Sequence, residues 1–498
     1  MLVLFLLPLL PLIASLPSQQ PFSINTSHEG RINPLKHLSA ISPFFIPTEK
    51  PTPLPEQCEL DRVSLLIRHS SIMGNDEEYE ETMKPFIEKI YNLDKSKLPK
   101  NGEWKFLKDW KSPINEDTLE VVSPQGKKDA KFLGKYIRKT YSPLFPSRKK
   151  TTTKKDKNKT PYKIWTASST RDIDTAKSYI KGGFPSHQSG PDGEGDGEVV
   201  QLIQVPNKAK DWDRSLTPHK ACDTFDKKPS LEPANKWLAV YAPKVIDRLR
   251  GVIPEVANEL VDQDILAMQM LCGYETIATG SSQFCHLFTD EEWLDVEYYF
   301  DVRFHYMMGY GSHLSPYLGM PWVKTAKHLL EGKDTEGSDG GKGHKSTDDG
   351  TLGTFKKGPK LPEPKLPPNA THTQLLHPSF THRESPAFVA VFLNLFNSSS
   401  HTHPSSETPP LDHRVDDRAW RTSHLVSFLG HVALERYHCK GKKHGDAGDY
   451  VRAVVNGRVE KMSGCEDGLQ QGCKWETFDK WVDERAERWS DWESVCEK

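Results

Sequence analysis

The feature that most constrains this chain is a set of three apolar segments that each end in charged or hydroxyl side chains. The first runs from Val63 to Ile67 and is followed directly by Arg68 and His69. A short apolar run of this kind predicts a buried β-strand. In α/β sheets the carboxyl ends of the strands open onto the ligand crevice. The pair at the end of this strand is therefore expected to face a binding site.

The second segment predicts a strand over residues 163–167, followed by the hydroxyl residues 168–170 and a helical pattern. Hydroxyl side chains are good helix caps, so the helix is expected to begin there. Arg171 then lies in the first turn, beside the exposed backbone amides that favour bound anions. This junction also places a cation at the carboxyl end of a strand.

The third segment covers residues 377–381 and leads into His382 and Glu384. Ser385 is the predicted helix cap and Pro386 the predicted first helical residue, because proline is well tolerated at that position. Each junction taken singly has an ordinary structural explanation, such as a helix-surface arginine or a capping histidine. Three junctions with the same placement favour one shared site.

Together these side chains suit phosphoryl transfer, which needs charge stabilisation and an in-line nucleophile. His69 can attack phosphorus and form a phosphohistidine, while Arg68, Arg171 and His382 hold the phosphoryl oxygens. Glu384 would then protonate the leaving alkoxide and afterwards activate water. The sequence has no dense Asp/His cluster that would indicate a metal, so neither a metal nor another cofactor is expected.

The composition indicates a globular protein of ordinary charge. With 498 residues, of which 36% are hydrophobic, the chain can form a large core and two lobes. The net charge of −2 gives no support for nucleic acid as the main partner. We expect small phosphorylated substrates instead, and the sequence leaves the oligomeric state open.

Several features predict that the protein is secreted. Residues 1–15 are typical of a signal peptide, and no later segment is apolar for long enough to cross a membrane, so the mature form is expected to have no membrane association. An even number of eight cysteines in an exported chain favours full pairing. The predicted glycosylation sites are Asn25, Asn158, Asn369 and Asn397.

The order of patterns along the chain predicts an α/β protein with a mainly helical lobe between two α/β parts. Pro- and Ser-rich sequence indicates an extended arm before the fold, and Gly-, Asp- and Lys-rich sequence indicates a surface insertion after the helical lobe. The predicted segments are a signal peptide 1–15, an extended N-terminal arm 16–56, a first α/β part 57–205, a mainly α lobe 206–330, a disordered insertion 331–368 and a second α/β part 369–498.

The ordered motifs resemble the histidine acid phosphatases, a branch of the histidine phosphatase superfamily that includes fungal phytases and multiple inositol polyphosphate phosphatases. Residues 68–74 correspond to the family motif Arg-His-Gly-x-Arg-x-Pro, 166–171 to its second phosphate-binding segment, and 380–384 to its third motif. Residues 283–293 are similar to the helical lobe of phytases and 450–456 to the closing hairpin. The resemblance extends from about residue 58 to the C-terminus, apart from the insertions.

This resemblance implies a phosphoglycerate-mutase-like large α/β domain with a smaller, mainly α-helical domain inserted. It also implies hydrolysis of phosphate monoesters at acidic pH through a phosphohistidine. The disulfides implied by the resemblance are Cys58–Cys439, Cys222–Cys496, Cys272–Cys285 and Cys465–Cys473; the last two close short loops and are also plausible from spacing.

The chain departs from the family motifs at four positions. Ser70 replaces a glycine, Ile72 stands where the family has a second arginine, and Gly74 replaces a proline. In the third motif Arg383 stands where phytases have an acidic aspartate, which leaves Glu384 as the expected proton donor. Loss of one preorganised donor costs on the order of 10²–10³ in rate in comparable sites.

Three functions are compatible with these features. A secreted, broad-specificity acid phosphatase is favoured, because the motif details that distinguish phytases are incomplete. A phytase that acts on inositol polyphosphates is the first alternative. The second is a catalytically impaired secreted relative that binds phosphorylated ligands, which Ile72 favours and retention of the other site residues disfavours. A mutase-type transferase fits poorly with a leader and disulfides.

Overall fold

The structure is a computed structural model, and it describes residues 32–45, 52–96, 98–145, 162–185, 200–207, 214–332, 374–397, 407–441 and 447–497. The predicted signal peptide and almost all of the predicted insertion lie outside the described residues. So do three of the predicted glycosylation sites, Asn25, Asn158 and Asn369. The fourth, Asn397, is half-buried, and its amide donates a hydrogen bond to Asn394 Oδ1 at 2.9 Å.

A single mixed sheet forms the centre of the fold. Its strands are β1 (Cys58–Arg68), β2 (Tyr162–Ala167), β3 (Val200–Val205), β4 (Leu376–Thr381), β5 (His431–Lys440), β6 (Ala447–Val455), β7 (Arg458–Glu460) and β8 (Cys473–Lys474). The order across the sheet is β3-β2-β4-β1-β5-β6-β7, with β8 paired to β6. The first four strands in this order are parallel, whereas β5, β6 and β7 pair antiparallel.

The parallel part of the sheet explains why the three junctions meet. Strand β4 lies between β1 and β2 and is parallel to both, so the carboxyl ends of all three strands are at the same edge. Arg68 is directly opposite Thr381 in the register of β1 and β4. The strands β1 and β4 are fully buried towards this edge, which is the pattern of central parallel strands.

Helices cover the sheet and form the second lobe. They are α1 (Asp76–Glu78), α2 (Lys84–Asn92), α3 (Pro124–Thr140), α4 (Thr170–Gly183), α5 (Leu231–Arg250), α6 (Pro254–Ala257), α7 (Asp262–Thr279), α8 (Asp290–Met308), α9 (Ser315–Glu331), α10 (Glu384–Phe392), α11 (Trp475–Arg488) and α12 (Trp492–Cys496). Helices α3 and α4 pack closely on each other, because Gly134 and Gly182 leave no room for a side chain between the two backbones. Helices α5, α7 and α8 pack together.

The helical lobe also takes in residues from the predicted first α/β part. Helix α2 and the turn before it pack on α7, and the buried side chains of both belong to one apolar cluster. The helix-rich region within 206–330 is therefore completed by residues far earlier in the chain.

The prediction of an extended arm over 16–56 is wrong for residues 32–45. This segment forms two short 3₁₀ turns, Pro34–Lys36 and Ser39–Ile41, and packs into the core. Leu35, Leu38 and Ile41 are all buried. Apolar side chains from both turns and from the link between them thus pack into the same core cluster. The fold thus begins well before Cys58.

Four disulfides link the described residues, and they have the pairing that the resemblance implied: Cys58–Cys439, Cys222–Cys496, Cys272–Cys285 and Cys465–Cys473. The first joins the start of β1 to the end of β5, at directly opposite register positions. Within the described residues, no helix has the length and apolar character to span a membrane.

Candidate active site

All five site residues expected from the sequence line one cavity at the carboxyl edge of the parallel strands: Arg68, His69, Arg171, His382 and Glu384. The backbone amide of His69 donates to the carbonyl of Thr381 at 2.9 Å, which links the end of β1 to the end of β4. The short strand ends therefore fix the positions of the side chains that follow them.

Arg68 is a buried cation held by carbonyl groups. Its Nη1 donates to the carbonyls of Ala40 and Val426 at 2.5 and 2.6 Å, and its guanidinium carbon lies 4.1 Å from the centre of the Phe428 ring. Burial lowers the pKa of Arg68 to about 9, with Arg383 adding to the effect. A guanidinium in these surroundings gains from a bound anion, since removing a charge from water without a counterion is costly.

His69 is oriented for attack through Nε2. Its Nδ1 lies 3.0 Å from the carbonyl of its neighbour Ser70, which favours the tautomer with the proton on Nδ1. Among the described residues, the hydrogen bond found for the ring is the one at Nδ1, which leaves Nε2 facing the cavity. Burial, and then the charges of Arg68 and Arg171, hold the pKa of His69 well below its usual 6.5. This shift favours the neutral imidazole, which has its lone pair on Nε2 when the proton is on Nδ1.

Two of the residues that depart from the family motif, Ser70 and Ile72, follow His69 closely. The side chain of Ser70 contacts α4, and the side chain of Ile72 lies in the cavity wall. The Ser70 hydroxyl lies 3.1 Å from Thr175 Oγ1 on α4, and the Ser70 amide donates to the same oxygen at 3.0 Å. Ile72 lines the cavity and is buried, with its backbone bridged to Val122. An apolar wall thus stands where the family motif places an arginine.

Arg171 lies in the first turn of α4 and forms an ion pair with a carboxylate. Its Nη1 is 2.6 Å from Glu120 Oε2. The other oxygen of Glu120 accepts from the Asn75 amide at 2.7 Å and the Asp76 backbone amide at 3.2 Å. Glu120 therefore holds Arg171 in place at the cavity wall.

His382 is oriented by the start of α4. Its Nε2 lies 3.0 Å from Ser169 Oγ and 3.1 Å from Asp172 Oδ2, and Asp172 is completely buried. Ser169 is the N-cap residue of α4, but its hydroxyl contacts His382 and the Asn207 amide instead of the helix backbone. The hydroxyl that the sequence suggested as a helix cap is used to build the site.

Glu384 is a buried carboxylate surrounded by cations. Its Oε1 is 3.0 Å from Lys227 Nζ, and its Oε2 is 3.7 Å from His219 Nε2. Burial alone would raise the pKa of Glu384, but its neighbours, first of them Lys227, outweigh burial and hold it well below 4.5. A general acid needs a shift in the opposite direction. These contacts therefore do not favour the proton-donor role expected from the sequence.

The local prediction for this helix start was wrong by two residues. Helix α10 begins at Glu384, with Arg383 as the N-cap residue, so Ser385 is inside the first turn. The Ser385 hydroxyl donates instead to the carbonyl of Leu216 at 2.6 Å. A tertiary hydrogen bond has replaced the local cap that the sequence suggested.

Arg383 also lines the cavity, although the sequence gave no reason to assign it a role. Its guanidinium forms a buried ion pair with Glu78, and Nη2 is buried without a hydrogen-bond partner among the described residues. Glu78 also accepts a hydrogen bond from the Tyr274 hydroxyl at 2.5 Å. Burial lowers the pKa of Arg383, but Glu78 and Glu384 outweigh it and raise the pKa above its usual value.

Sequence reasoning missed the residues that set the charge of the cavity. Lys220 and Lys227 line it, and His219 contacts Glu384. These three lie between β3 and α5, outside every motif, so no local pattern could have identified them. Asp172 was the missed residue that the sequence could most easily have indicated, because it follows Arg171 directly in the first turn of the predicted helix.

Three side chains of the described residues could in principle hold a metal ion: His219, His382 and Glu384 have ligand atoms within 4.8 Å of one another. However, Lys227 already lies 3.0 Å from the same carboxylate, and Arg383 Nε lies 3.8 Å from it. Cations at these distances compete with a metal for the carboxylate. The arrangement suits an anion better than a cation, and the absence of a cofactor stays a prediction.

Comparison with known proteins gives a consistent set of relatives. An acid phosphatase of Schizosaccharomyces pombe is 24% identical over 458 residues, which cover 90% of this chain and 86% of the relative. Phytase A of Aspergillus oryzae is 25% identical over 477 residues, covering 93% of this chain and 91% of that protein.

Solved structures show the same fold. The phytase from D. castellii superimposes with a TM-score of 0.70 at 19% identity, covering 93% of this chain and 87% of that one. A multiple inositol polyphosphate phosphatase from Bifidobacterium longum, solved with inositol hexasulfate, gives a TM-score of 0.54 at 12% identity, covering 90% and 97%. The sequence profile of the histidine phosphatase superfamily (branch 2) matches residues 59–456. The chain therefore belongs to branch 2 of the histidine phosphatase superfamily.

Proposed function

We propose that this protein is a secreted acid phosphatase that hydrolyses phosphate monoesters through a phosphohistidine at His69. The observation that carries the proposal is the position of His69, whose Nδ1 lies 3.0 Å from the Ser70 carbonyl, in a cavity that Arg68 and Arg171 also line. Acid phosphatases and phytases among its relatives support the same reaction class.

In the first step His69 Nε2 attacks phosphorus, and Arg68, Arg171 and His382 hold the phosphoryl oxygens. The two arginines are charged and positioned before the substrate arrives, so they stabilise the transition state without reorganising. Asp172 keeps the His382 ring in position. In the second step water attacks the phosphohistidine, and the ionised carboxylate of Glu384 accepts a proton from it. The lowered pKa of Glu384 supports the role of proton acceptor in the second step better than the role of proton donor in the first.

The experiment measures the turnover of p-nitrophenyl phosphate and inositol hexakisphosphate between about pH 3 and 7. The pH dependence of the rate reports the pKa values of the groups that the reaction requires. Wild type is compared with His69→Ala and with His438→Ala, an exposed histidine on β5 that pairs with Asp449. We expect the first variant to be inactive and the second to match wild type. Acid quenching with labelled substrate should trap phosphate on His69.

The same assay separates the alternative functions. A phytase is the second candidate, because Lys220 and Lys227 line the cavity and suit a substrate with several phosphates. Strong turnover of inositol hexakisphosphate would establish it. Equal background turnover by wild type and His69→Ala, with phosphate still bound, would instead identify a non-catalytic phosphate-binding relative. Secretion is tested by expressing the full chain and determining the N-terminus of protein recovered from the medium.

A further inference from the structure

Arg383 is held in the fold in much the same way as a second buried arginine, Arg452. Each guanidinium forms an ion pair with a buried glutamate, which is Glu78 for Arg383 and Glu435 for Arg452. In both pairs a buried tyrosine hydroxyl donates to the other carboxylate oxygen, at 2.5 and 2.6 Å. The two arginines are also equally buried, with 5% of each exposed. They differ in what the rest of the guanidinium contacts.

The fold uses all three guanidinium nitrogens of Arg452. Its Nε donates to Glu435 at 2.7 Å, Nη1 to the carbonyl of Pro53 at 3.2 Å and Nη2 to the carbonyl of Thr52 at 3.1 Å. Arg452 lies on β6 and does not belong to the described residues that line the active-site cavity. This arginine therefore has a purely structural role, and the protein itself satisfies its donors.

Part of the Arg383 guanidinium has no partner. Its Nη1 donates to Glu78, while its Nε lies 3.8 Å from Glu384 Oε1, which is too far for a hydrogen bond. Its Nη2 is buried and has no hydrogen-bond partner among the described residues. A buried donor that stays unsatisfied is costly, and more so on a charged group. Such a donor beside a cavity indicates a ligand that satisfies it.

The unsatisfied nitrogen belongs to a set of three. Arg68 Nε and Arg171 Nε are also buried without a partner in the described part of the chain, and both arginines line the cavity together with Arg383. The charged lining among the described residues consists of three arginines, two lysines and two glutamates. Guanidinium groups match the geometry of phosphate oxygens, so this excess of cations suits an oxyanion.

Arg383 is close enough to Arg68 for both to act on one anion. Burial, and then the charge of Arg383, lower the pKa of Arg68 to about 9. Two buried guanidinium groups that repel each other are stabilised when an anion binds to both. Nη1 of Arg68 is already used by the carbonyls of Ala40 and Val426, at 2.5 and 2.6 Å, so Arg68 alone offers the anion only part of its guanidinium.

The first motif lacks a donor where Ile72 lines the cavity. This side chain is buried and offers only carbon atoms to the cavity. The family motif has an arginine at this position, whereas the arginine at position 383 is absent from the family's third motif. One guanidinium is therefore lost from the first motif and one is gained in the third, and both positions line the same cavity.

We propose that Arg383 is a phosphate-binding residue, whose Nη2 donates to an oxygen of the phosphoryl group that Arg68 and Arg171 also hold. Glu78 keeps the guanidinium of Arg383 in place. The proposal rests on the proposed phosphohistidine reaction and adds a residue to its phosphate site. The arginine at position 383 thereby replaces the function of the arginine that is missing at position 72.

The test measures the dissociation constant of inorganic phosphate by isothermal titration calorimetry with the full chain. Arg383 is removed together with its partner, as Glu78→Gln/Arg383→Met, because Arg383→Met alone would leave a buried carboxylate that repels phosphate by itself. The double substitution leaves the net charge unchanged and removes the donor. The dissociation constant should rise about 10- to 100-fold, the value of one hydrogen bond to a charged group.

The matched control is Glu435→Gln/Arg452→Met. It removes an ion pair of the same kind and the same burial, from an arginine whose donors the fold satisfies. This variant should bind phosphate as tightly as wild type. Urea unfolding establishes that both double variants are folded.

Arg383→Lys serves as a second variant if Glu78→Gln/Arg383→Met does not fold. Lysine keeps the charge beside Glu78, but it has a single nitrogen and cannot donate in two directions as the guanidinium fork does. The dissociation constant of phosphate should again rise, by at least about tenfold.

Moving the guanidinium back to the first motif tests the compensation between the two positions. Ile72→Arg is added to Glu78→Gln/Arg383→Met, since position 72 lines the same cavity. The triple variant should bind phosphate at least about tenfold more tightly than the double variant. A triple variant that unfolds in urea as the double variant does, but gains no affinity, would refute the compensation.

The outcomes separate this proposal from the proposed function. If Glu78→Gln/Arg383→Met or, in its place, Arg383→Lys binds phosphate as tightly as wild type, Arg383 is a structural residue and the proposal is refuted, while His69-dependent turnover leaves the phosphatase standing. If both double variants lose affinity equally, the loss comes from removing a buried ion pair and the proposal is refuted as well. If wild type neither binds phosphate nor hydrolyses a phosphate ester in a His69-dependent manner, the proposed function itself fails.

Discussion

Replacing Glu78 by glutamine should destabilise the protein and make its stability depend on phosphate. Glu78 is 1% exposed and forms an ion pair with Arg383, which is 5% exposed. The Tyr274 hydroxyl donates to the second oxygen of the same carboxylate. Glutamine preserves the size of the side chain but removes its charge and presents an amide N–H₂ group to a donor.

The expected loss follows from the burial of this pair. Removal of one partner from a buried ion pair costs about 3–5 kcal/mol, because the remaining charge is left uncompensated in a medium of low polarity. Neither side chain is exposed enough for solvent to screen the remaining charge. This loss is a large share of the 5–15 kcal/mol by which native proteins are typically stable. Inorganic phosphate should restore part of it, because an uncompensated Arg383 beside Arg68 increases the affinity of the cavity for an anion.

The measurement is the free energy of unfolding in urea, followed by tryptophan fluorescence, with and without inorganic phosphate. Glu78→Gln is compared with the double variant Glu78→Gln/Arg383→Met, which removes both charges and should recover most of the loss. Glu59→Gln is the control for charge removal, because its ion pair with Lys440 is exposed and should not contribute measurably. A double variant as unstable as Glu78→Gln, or a Glu78→Gln loss below about 1 kcal/mol, would contradict the reasoning.

Three further predictions concern charge in the same cavity. Arg171→Gln should weaken the inhibition constant of inorganic phosphate about 10- to 100-fold, the value of one hydrogen bond to a charged group, and an unchanged constant would remove Arg171 from the phosphate site. His219→Phe should stabilise the protein more at about pH 5 than at about pH 7. Burial lowers the pKa of His219 in the folded protein, whereas the unfolded chain takes up a proton on this residue below pH 6.5. Equal effects of the substitution at both pH values would exclude this explanation. The pKa of Glu384 is lowered on folding, so the stabilisation by its carboxylate is complete above pH 4.5 and is lost as the pH falls through the pKa of the folded state. The difference in unfolding free energy between wild type and Glu384→Gln should therefore shrink below pH 4.5 in acid titrations of unfolding. A difference that does not depend on pH would refute this prediction.

The strand ends were predictable because the signals that define them are local. An apolar run followed by charged residues predicted β1 and its carboxyl end, and the parallel order of β1, β2 and β4 then brought Arg68, Arg171 and His382 to one edge. The N-terminal segment was not predicted, because its Pro- and Ser-rich surroundings indicated an extended arm and its two 3₁₀ turns are only three residues long.

The role of Glu384 shows where local reasoning stops. A glutamate two residues after His382 was the natural proton donor from its position in the motif. Its protonation, however, depends on Lys227, which is far away in the chain and contacts it at 3.0 Å. The sequence contains both residues but does not indicate that they meet.

The sequence by itself determined which side chains of the three strand-end junctions reach the site, because strand ends and helix starts are set by neighbouring residues. It thereby placed His69 at the end of β1 and implied the superfamily to which the chain belongs. Only the tertiary structure decided which charged groups are paired, as in Glu78–Arg383, Glu120–Arg171 and Glu384–Lys227. Proton affinity depends on groups that are close in space, and those groups come from distant parts of the chain.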